Sequence, residues 1–118
     1  FARWNGQACA AAGPAEGPPA VGTSKRDVTP EGVHDLGGSV SEWTADAFVD
    51  RLSPCDGGCV DPVTEPTSPD QARVIRGGNW AGGIEWLRGA GRGSAPAADA
   101  RPNIGVRCVR ALAEGGAK

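Results

Sequence analysis

Apolar residues come along this chain in short bursts and never in a sustained helical period. Val33, Leu36, Val40 and Trp43 stand among Gly37-Gly38 and the acids Asp35, Glu42 and Asp46. Within that stretch Val40-Ser41-Glu42-Trp43-Thr44 alternates as a strand with one buried face does. Residues 72–80 set Val74 and Ile75 against Arg73 and Arg76 before Gly77-Gly78-Asn79-Trp80, the pattern of a strand entering a close-packed glycine corner. Residues 87–92 and 104–109 read as two further short strands with a loop over 96–103 between them, and one short strand is expected at 20–23. Gly and Pro interrupt every window in which an amphipathic helix would form.

This patterning divides the chain into an irregular lead-in (1–31), a Trp-bearing acidic block (32–48), a Pro-rich acidic loop with a Cys pair (49–71), a β core (72–110) and a tail (111–118). With 118 residues the chain holds one domain at most. Its 19 Gly and 10 Pro approach the composition of low-complexity sequence, but four Trp and four Cys argue for a folded domain. A net charge of −2 excludes a generally cationic surface, so nucleic acid is not an expected partner. No run approaches the roughly 18 apolar residues of a membrane span, and the first 20 residues lack the order of a signal peptide. The chain contains no Met and opens on Phe1, which reads as a proteolytically processed piece of a longer product.

Cys9, Cys55, Cys59 and Cys108 fit a disulfide framework and an oxidising compartment, so the protein is expected to be secreted, periplasmic or at the cell surface. Cys55 and Cys59 flank Asp56-Gly57-Gly58, where a local bridge would contribute about 2 kcal/mol, whereas a Cys9–Cys108 bridge would contribute about 4 to 5 kcal/mol. Zinc is the weaker use of these thiols, because no second short Cys pair exists and His34 is the single histidine.

The run Gly32-Val33-His34-Asp35-Leu36-Gly37-Gly38-Ser39-Val40-Ser41-Glu42-Trp43-Thr44-Ala45-Asp46 resembles the formylglycine-generating enzyme, or sulfatase-modifying factor, family. Two more blocks follow in that family's order: Arg73-Val74-Ile75-Arg76-Gly77-Gly78-Asn79-Trp80, and Arg88-Gly89-Ala90-Gly91-Arg92 continuing to Asn103-Ile104-Gly105-Val106-Arg107-Cys108. The resemblance implies a C-type-lectin-like fold, an α+β class with low regular secondary structure built mostly of short β-strands and long loops. It further implies that this chain corresponds to the C-terminal half of such a domain. Its partner is then the N-terminal half as a second chain, and Cys108 is a candidate for an inter-chain bridge to that half.

The enzymes of the family oxidise a substrate Cys with copper and a redox-active Cys pair just after the Gly-Gly block. Here residues 81–87 read Ala-Gly-Gly-Ile-Glu-Trp-Leu, with no Cys. Neither Gly nor Ile replaces a thiolate as nucleophile or Cu(I) ligand, so copper and formylglycine generation are not expected. A second branch of the family holds non-haem iron with several His and forms sulfoxides, which His34 alone cannot supply. His34 itself reads as a partly exposed packing residue.

By resemblance the family binds structural calcium, mapped here to the carboxylates of Asp35 and Glu42 and the carbonyls of Gly38 and Val40. Such a set suits an ion that takes six to eight hard oxygens. The pattern departs at Ser39, where Asn is usual, and at Ser41, where Trp is usual. The region after the glycine corner, with Asn79, Trp80, Glu85, Trp86 and Arg88, lies where relatives contact substrate peptide or ligand.

The first expectation is therefore a non-catalytic, lectin-like binding or structural module, stabilised by calcium and disulfides, with a protein, peptide or glycan ligand. The alternative is an oxidoreductase of the same family whose catalytic residues lie in the N-terminal half. A third reading is a ligand-display protein diversified by retroelements, which also uses this fold and varies this loop.

Overall fold

The computed structural model describes residues 17–52 and 58–110. Among these residues one four-stranded sheet forms, ordered β3-β2-β1-β4. Strand β1 is Ser41–Ala47, β2 is Arg73–Arg76, β3 is Gly93–Ala95 and β4 is Ile104–Gly105. Strand β1 runs antiparallel to β2, β2 antiparallel to β3, and β4 lies parallel to β1.

Two expected strands lie where the alternation places them, at β1 and β2. Strand β1 extends past Thr44 because of a bulge: Trp43 faces Ile75 and Ala47 faces Arg73, so β1 takes four steps where β2 takes two. The surplus residues gain partners outside the ladder. Thr44 donates its hydroxyl to the Val74 carbonyl at 3.3 Å, Arg73 donates to the Ala45 carbonyl at 3.0 Å, and the Thr64 amide donates to Asp46 at 2.9 Å. With the Ala47 amide bonded to the Thr64 carbonyl at 2.8 Å, the bulge clips the end of the Pro-rich loop onto the sheet.

Of the other three expected strands, those at 20–23 and 87–92 are corrected and that at 104–109 is shortened to β4. Residues 20–23 form a turn in which both the amide and the hydroxyl of Thr23 donate to the Ala20 carbonyl. Residues 84–87 form a short 3-10 turn and residues 88–91 a tight turn closed by the Gly91 amide on the Arg88 carbonyl at 2.7 Å, so the strand begins only at Gly93. After Gly105 the chain leaves the sheet, and Val106 and Val109 stand 74% and 90% exposed.

The acidic block is introduced by a small hairpin that the sequence reading treated as plain lead-in. Val28 bridges His34, and the turn at residues 29–32 puts Pro30 second and Gly32 last, the residue choice of a type I turn. The buried apolar core of the described residues is Ala47, Val74 and Ala95. These are small side chains, so backbone contacts carry much of the organisation.

The tightest such contact crosses from Leu36–Ser39 to Gly77–Trp80. The Gly38 amide donates to the Gly77 carbonyl at 2.7 Å, and the Trp80 amide to the Ser39 carbonyl at 2.9 Å. Gly77 has φ +89°, and a Cβ there would sit 2.7 Å from the Leu36 carbonyl oxygen. Gly77→Ala is therefore expected to lower unfolding free energy by about 2 kcal/mol or more, the left-handed backbone alone costing ~1 kcal/mol. Gly89→Ala, whose added Cβ meets nothing within 4 Å, is expected to change it by less than about 0.5 kcal/mol. Urea denaturation of the two variants checks both.

Candidate functional site

Two hollows flank the glycine crossing. The first is lined by Val21, Gly22, His34, Asp35, Ser39, Val40, Glu42, Val106 and Arg107, and so gathers three of the four expected calcium ligands. One of its walls carries a guanidinium. Arg107 donates from Nε to both Glu42 oxygens at 3.0 and 2.9 Å and from Nη2 to Oε1 at 2.6 Å. The same Nη2 approaches the carbonyls of His34 at 2.9 Å and Asp35 at 3.4 Å. Hydrogen bonding to Glu42, followed by the charges of Glu42, Asp35 and Asp27, raises the Arg107 pKa above its ordinary value. The stability this adds is fully present below the unfolded arginine pKa and is lost only in strongly alkaline solution.

Two more of the expected residues are tied to the backbone. Asp35 accepts from the Gly22 amide at 2.6 Å, and Gly38 is buried in the crossing through its amide. As arranged, these groups do not fit calcium: one carboxylate already accepts three guanidinium hydrogen bonds, and a fixed positive charge occupies the place where the resemblance puts the ion. Among the described residues no group of three or more His, Cys, Asp or Glu stands ready to hold a metal. Asp35 and Ser39 have φ of +58° and +52°. That region suits Asn and Asp better than Ser, which gives a physical reason for the Asn usual at the Ser39 position.

The second hollow, about 480 Å³, lies on the far side of β1 and β2. Ser41 is buried in its wall and accepts from the Asn79 side-chain amide at 3.0 Å. A small residue where the resemblance has Trp leaves open space at this point. Phe48 and Ile75 supply apolar wall, and Trp86, 44% exposed, stands at the rim. Arg76 fixes the opposite side by donating to the carbonyls of Gly91 at 2.8 Å and Gly89 at 2.7 Å, which explains why residues 88–91 turn instead of running straight.

Of the expected ligand contacts, Asn79 and Trp86 line this hollow. Trp80 belongs to the framework, its amide on Ser39 and its indole N–H 3.5 Å from the Pro102 carbonyl. Glu85 and Arg88 are exposed and outside the lining. Sequence reasoning missed Ser41, Arg76, Arg92 and Asn103. Arg92 was visible as a block residue, but only the fold brings it beside Phe48. His34 is exposed, and its carbonyl rather than its ring is used by Arg107.

Cys108 is exposed with a free thiol, so the expected bridge to Cys9 is not formed; the chain carries it onto the surface after β4. Cys59 is disulfide-bonded, while Cys9 and Cys55 lie outside the described residues.

The bidentate Glu42–Arg107 pair is expected to show a coupling of about 1 kcal/mol in a double-mutant cycle of Glu42→Gln and Arg107→Gln measured by denaturation. Millimolar calcium is expected to move the melting temperature of the native chain by less than about 1 °C, because no vacant oxygen cage is offered to the ion. A calcium-dependent rise of several degrees, removed by chelator, would contradict the arrangement of this hollow.

The solved structure named Treponema denticola variable protein 1 is similar to this chain, with a TM-score of 0.64 and 23% identity over 90% of this chain. The chain spans 34% of the length of that protein. No curated protein matches the sequence. The family model described as the sulfatase-modifying factor enzyme 1-like domain matches residues 10–112, a span containing every strand of the sheet and both hollows. The small curled sheet, the glycine crossing and that match together place the chain in the sulfatase-modifying factor family.

Proposed function

We propose that this chain is a non-catalytic, lectin-like binding module of the sulfatase-modifying factor family, and that the hollow beneath Trp86 receives its ligand. The observation carrying this reading is local. The segment in which the family's enzymes place their Cys pair is here Ala-Gly-Gly-Ile-Glu-Trp-Leu, whose last four residues form a 3-10 turn that presents Trp86 at the rim of a cavity of about 480 Å³. An aromatic rim over convergent amides is the usual composition of a ligand pocket, and a half-exposed Trp is a common anchor in recognition.

The partner in this reading is the remainder of the same domain, held as a second chain. Support comes from the sparse core among the described residues and from exposed apolar residues within the Pro-rich loop, such as Leu52, Val60 and Val63. The exposed Cys108 is the point for an inter-chain bridge, and the Cys59 disulfide supports an oxidising, extracytoplasmic location. Among the described residues no helix is long and apolar enough to cross a membrane.

A glycan and peptide array probed with wild-type protein and Trp86→Ala tests the site. Binding is expected for the wild type and to fall by at least about tenfold in the variant, as for an aromatic anchor, with the melting temperature retained. Purified protein, together with any companion chain, is expected to leave Cys unconverted in a suitable substrate peptide; appearance of formylglycine sinks the non-catalytic reading. Intact mass without reductant shows whether Cys108 carries another chain.

The name of the structural relative favours a second reading, in which the module displays a ligand surface that varies between isolates. Sequencing the locus from several isolates decides it: changes clustered at 81–101 support variation, and their absence ends the idea.

A further inference from the structure

The hollow beneath Trp86 is lined by two arginines, Arg76 and Arg92, and by no aspartate or glutamate. In a chain with 14 acidic and 12 basic residues, a cavity of one sign is a local feature and not a reflection of composition. The two arginines differ in what they have left to offer. Arg76 already donates from Nη1 and Nη2 to the Gly91 and Gly89 carbonyls. Arg92 lies with its guanidinium carbon 5.2 Å from the centroid of the Phe48 ring, and its Nη2 is buried with no hydrogen-bond partner.

A buried donor left unpaired is costly, and more so when it is charged. The acid that shares the adjoining hollow does not relieve it. Asp46 lines the neighbouring hollow together with Arg92, but its Oδ1 accepts from the Thr64 amide at 2.9 Å and its Oδ2 lies 3.4 Å from the Thr44 hydroxyl. The cation–π contact with Phe48 holds the guanidinium in place without supplying an acceptor. Around it stand neutral hydrogen-bonding groups, Asn79, Ser94 and Asn103, and the apolar surface of Trp86.

We infer that this hollow is a carboxylate site, with Arg92 supplying the charged donor, Asn79 and Asn103 neutral polar contacts, and Trp86 covering the apolar body of the ligand. One guanidinium with an unused edge matches the planar, singly charged carboxylate. This deepens the binding reading above and rests on it. The carboxylate can come from an acidic amino-acid side chain or from an acidic sugar, and the two share this chemistry.

The test titrates ¹⁵N-labelled chain with N-acetylglutamate amide and glucuronate, and with the neutral counterparts N-acetylglutamine amide and glucose. Signals are the Trp86 indole N–H, assigned with Trp86→Phe, and the Arg92 Nε–H. The acids are expected to shift both signals and to bind about tenfold more tightly than their neutral counterparts. Whichever acid binds more tightly identifies the source. Arg92→Gln is expected to abolish that preference, while Arg88→Gln, outside the hollow, preserves it. Should Arg92→Gln fail to fold, the acid-over-neutral preference of the wild type decides alone. If acids and neutral ligands bind alike, the carboxylate inference falls while the binding site stands. If none of the four moves Trp86, the carboxylate inference also falls, and the array with Trp86→Ala judges the site separately.

Discussion

The contact on which the rest depends is the backbone crossing between Leu36–Ser39 and Gly77–Trp80. Gly77 approaches the Leu36 carbonyl so closely that no side chain fits, and its own carbonyl accepts the Gly38 amide at 2.7 Å. Five residues around it have positive φ: Asp35, Gly38, Ser39, Gly77 and Gly78. Two of these lack the freedom of glycine and are held by their neighbours, Asp35 through the Asp27 carbonyl and the Gly22 amide, Ser39 through the Trp80 amide. Strain at such residues persists only where the surroundings over-determine it. Here the crossing fixes the entry to β1 and the exit from β2 together, and so sets one hollow on each side.

From the crossing outward, position is transmitted by hydrogen bonds. Asn79 follows Gly77-Gly78 and reaches Ser41 at the start of β1, closing the wall of the Trp86 hollow. On the other side the Ser41 amide donates to the Asn103 carbonyl at 2.9 Å just before β4, which brings the segment carrying Arg107 beside Glu42. A Cβ on Gly105 would meet the Val40 side chain at 2.8 Å, so the parallel pairing of β4 with β1 also depends on a missing side chain.

What was legible in the sequence follows from the range of the forces involved. Alternation at 40–44 and 72–76 is a local signal, and both strands form there. The glycine corner was equally plain, since Gly77-Gly78 before Asn79-Trp80 announces close approach. Residues 87–92 were misread because what bends them is Arg76, whose donors seek the carbonyls of Gly89 and Gly91 across 13 and 15 positions. The engagement of Glu42 by Arg107 was hidden for a similar reason: the two are 65 residues apart, and nothing local to either reveals that the pair forms. Trp86 and Asn79 were found by their place after the corner, whereas Arg92 and Ser41 required the sheet to bring them to one cavity.

Arginine has an unusual share in this fold because the buried apolar core among the described residues is so small. With Ala47, Val74 and Ala95 as the buried apolar residues, burial of large side chains cannot hold the turns in place. Guanidinium donors do so instead: Arg73 on the Ala45 carbonyl, Arg76 on Gly89 and Gly91, Arg107 on His34 and Glu42. Each of these side chains fixes a bulge, a turn or the start of the acidic block, and each is matched by an acceptor. Arg92 breaks the pattern. It is set on an aromatic ring, lines the hollow beneath Trp86, and keeps a buried Nη2 without an acceptor. Among the described residues it is the one buried guanidinium nitrogen left without an acceptor, and that mismatch is why Arg92, and not Arg73, Arg76 or Arg107, carries the proposed binding role.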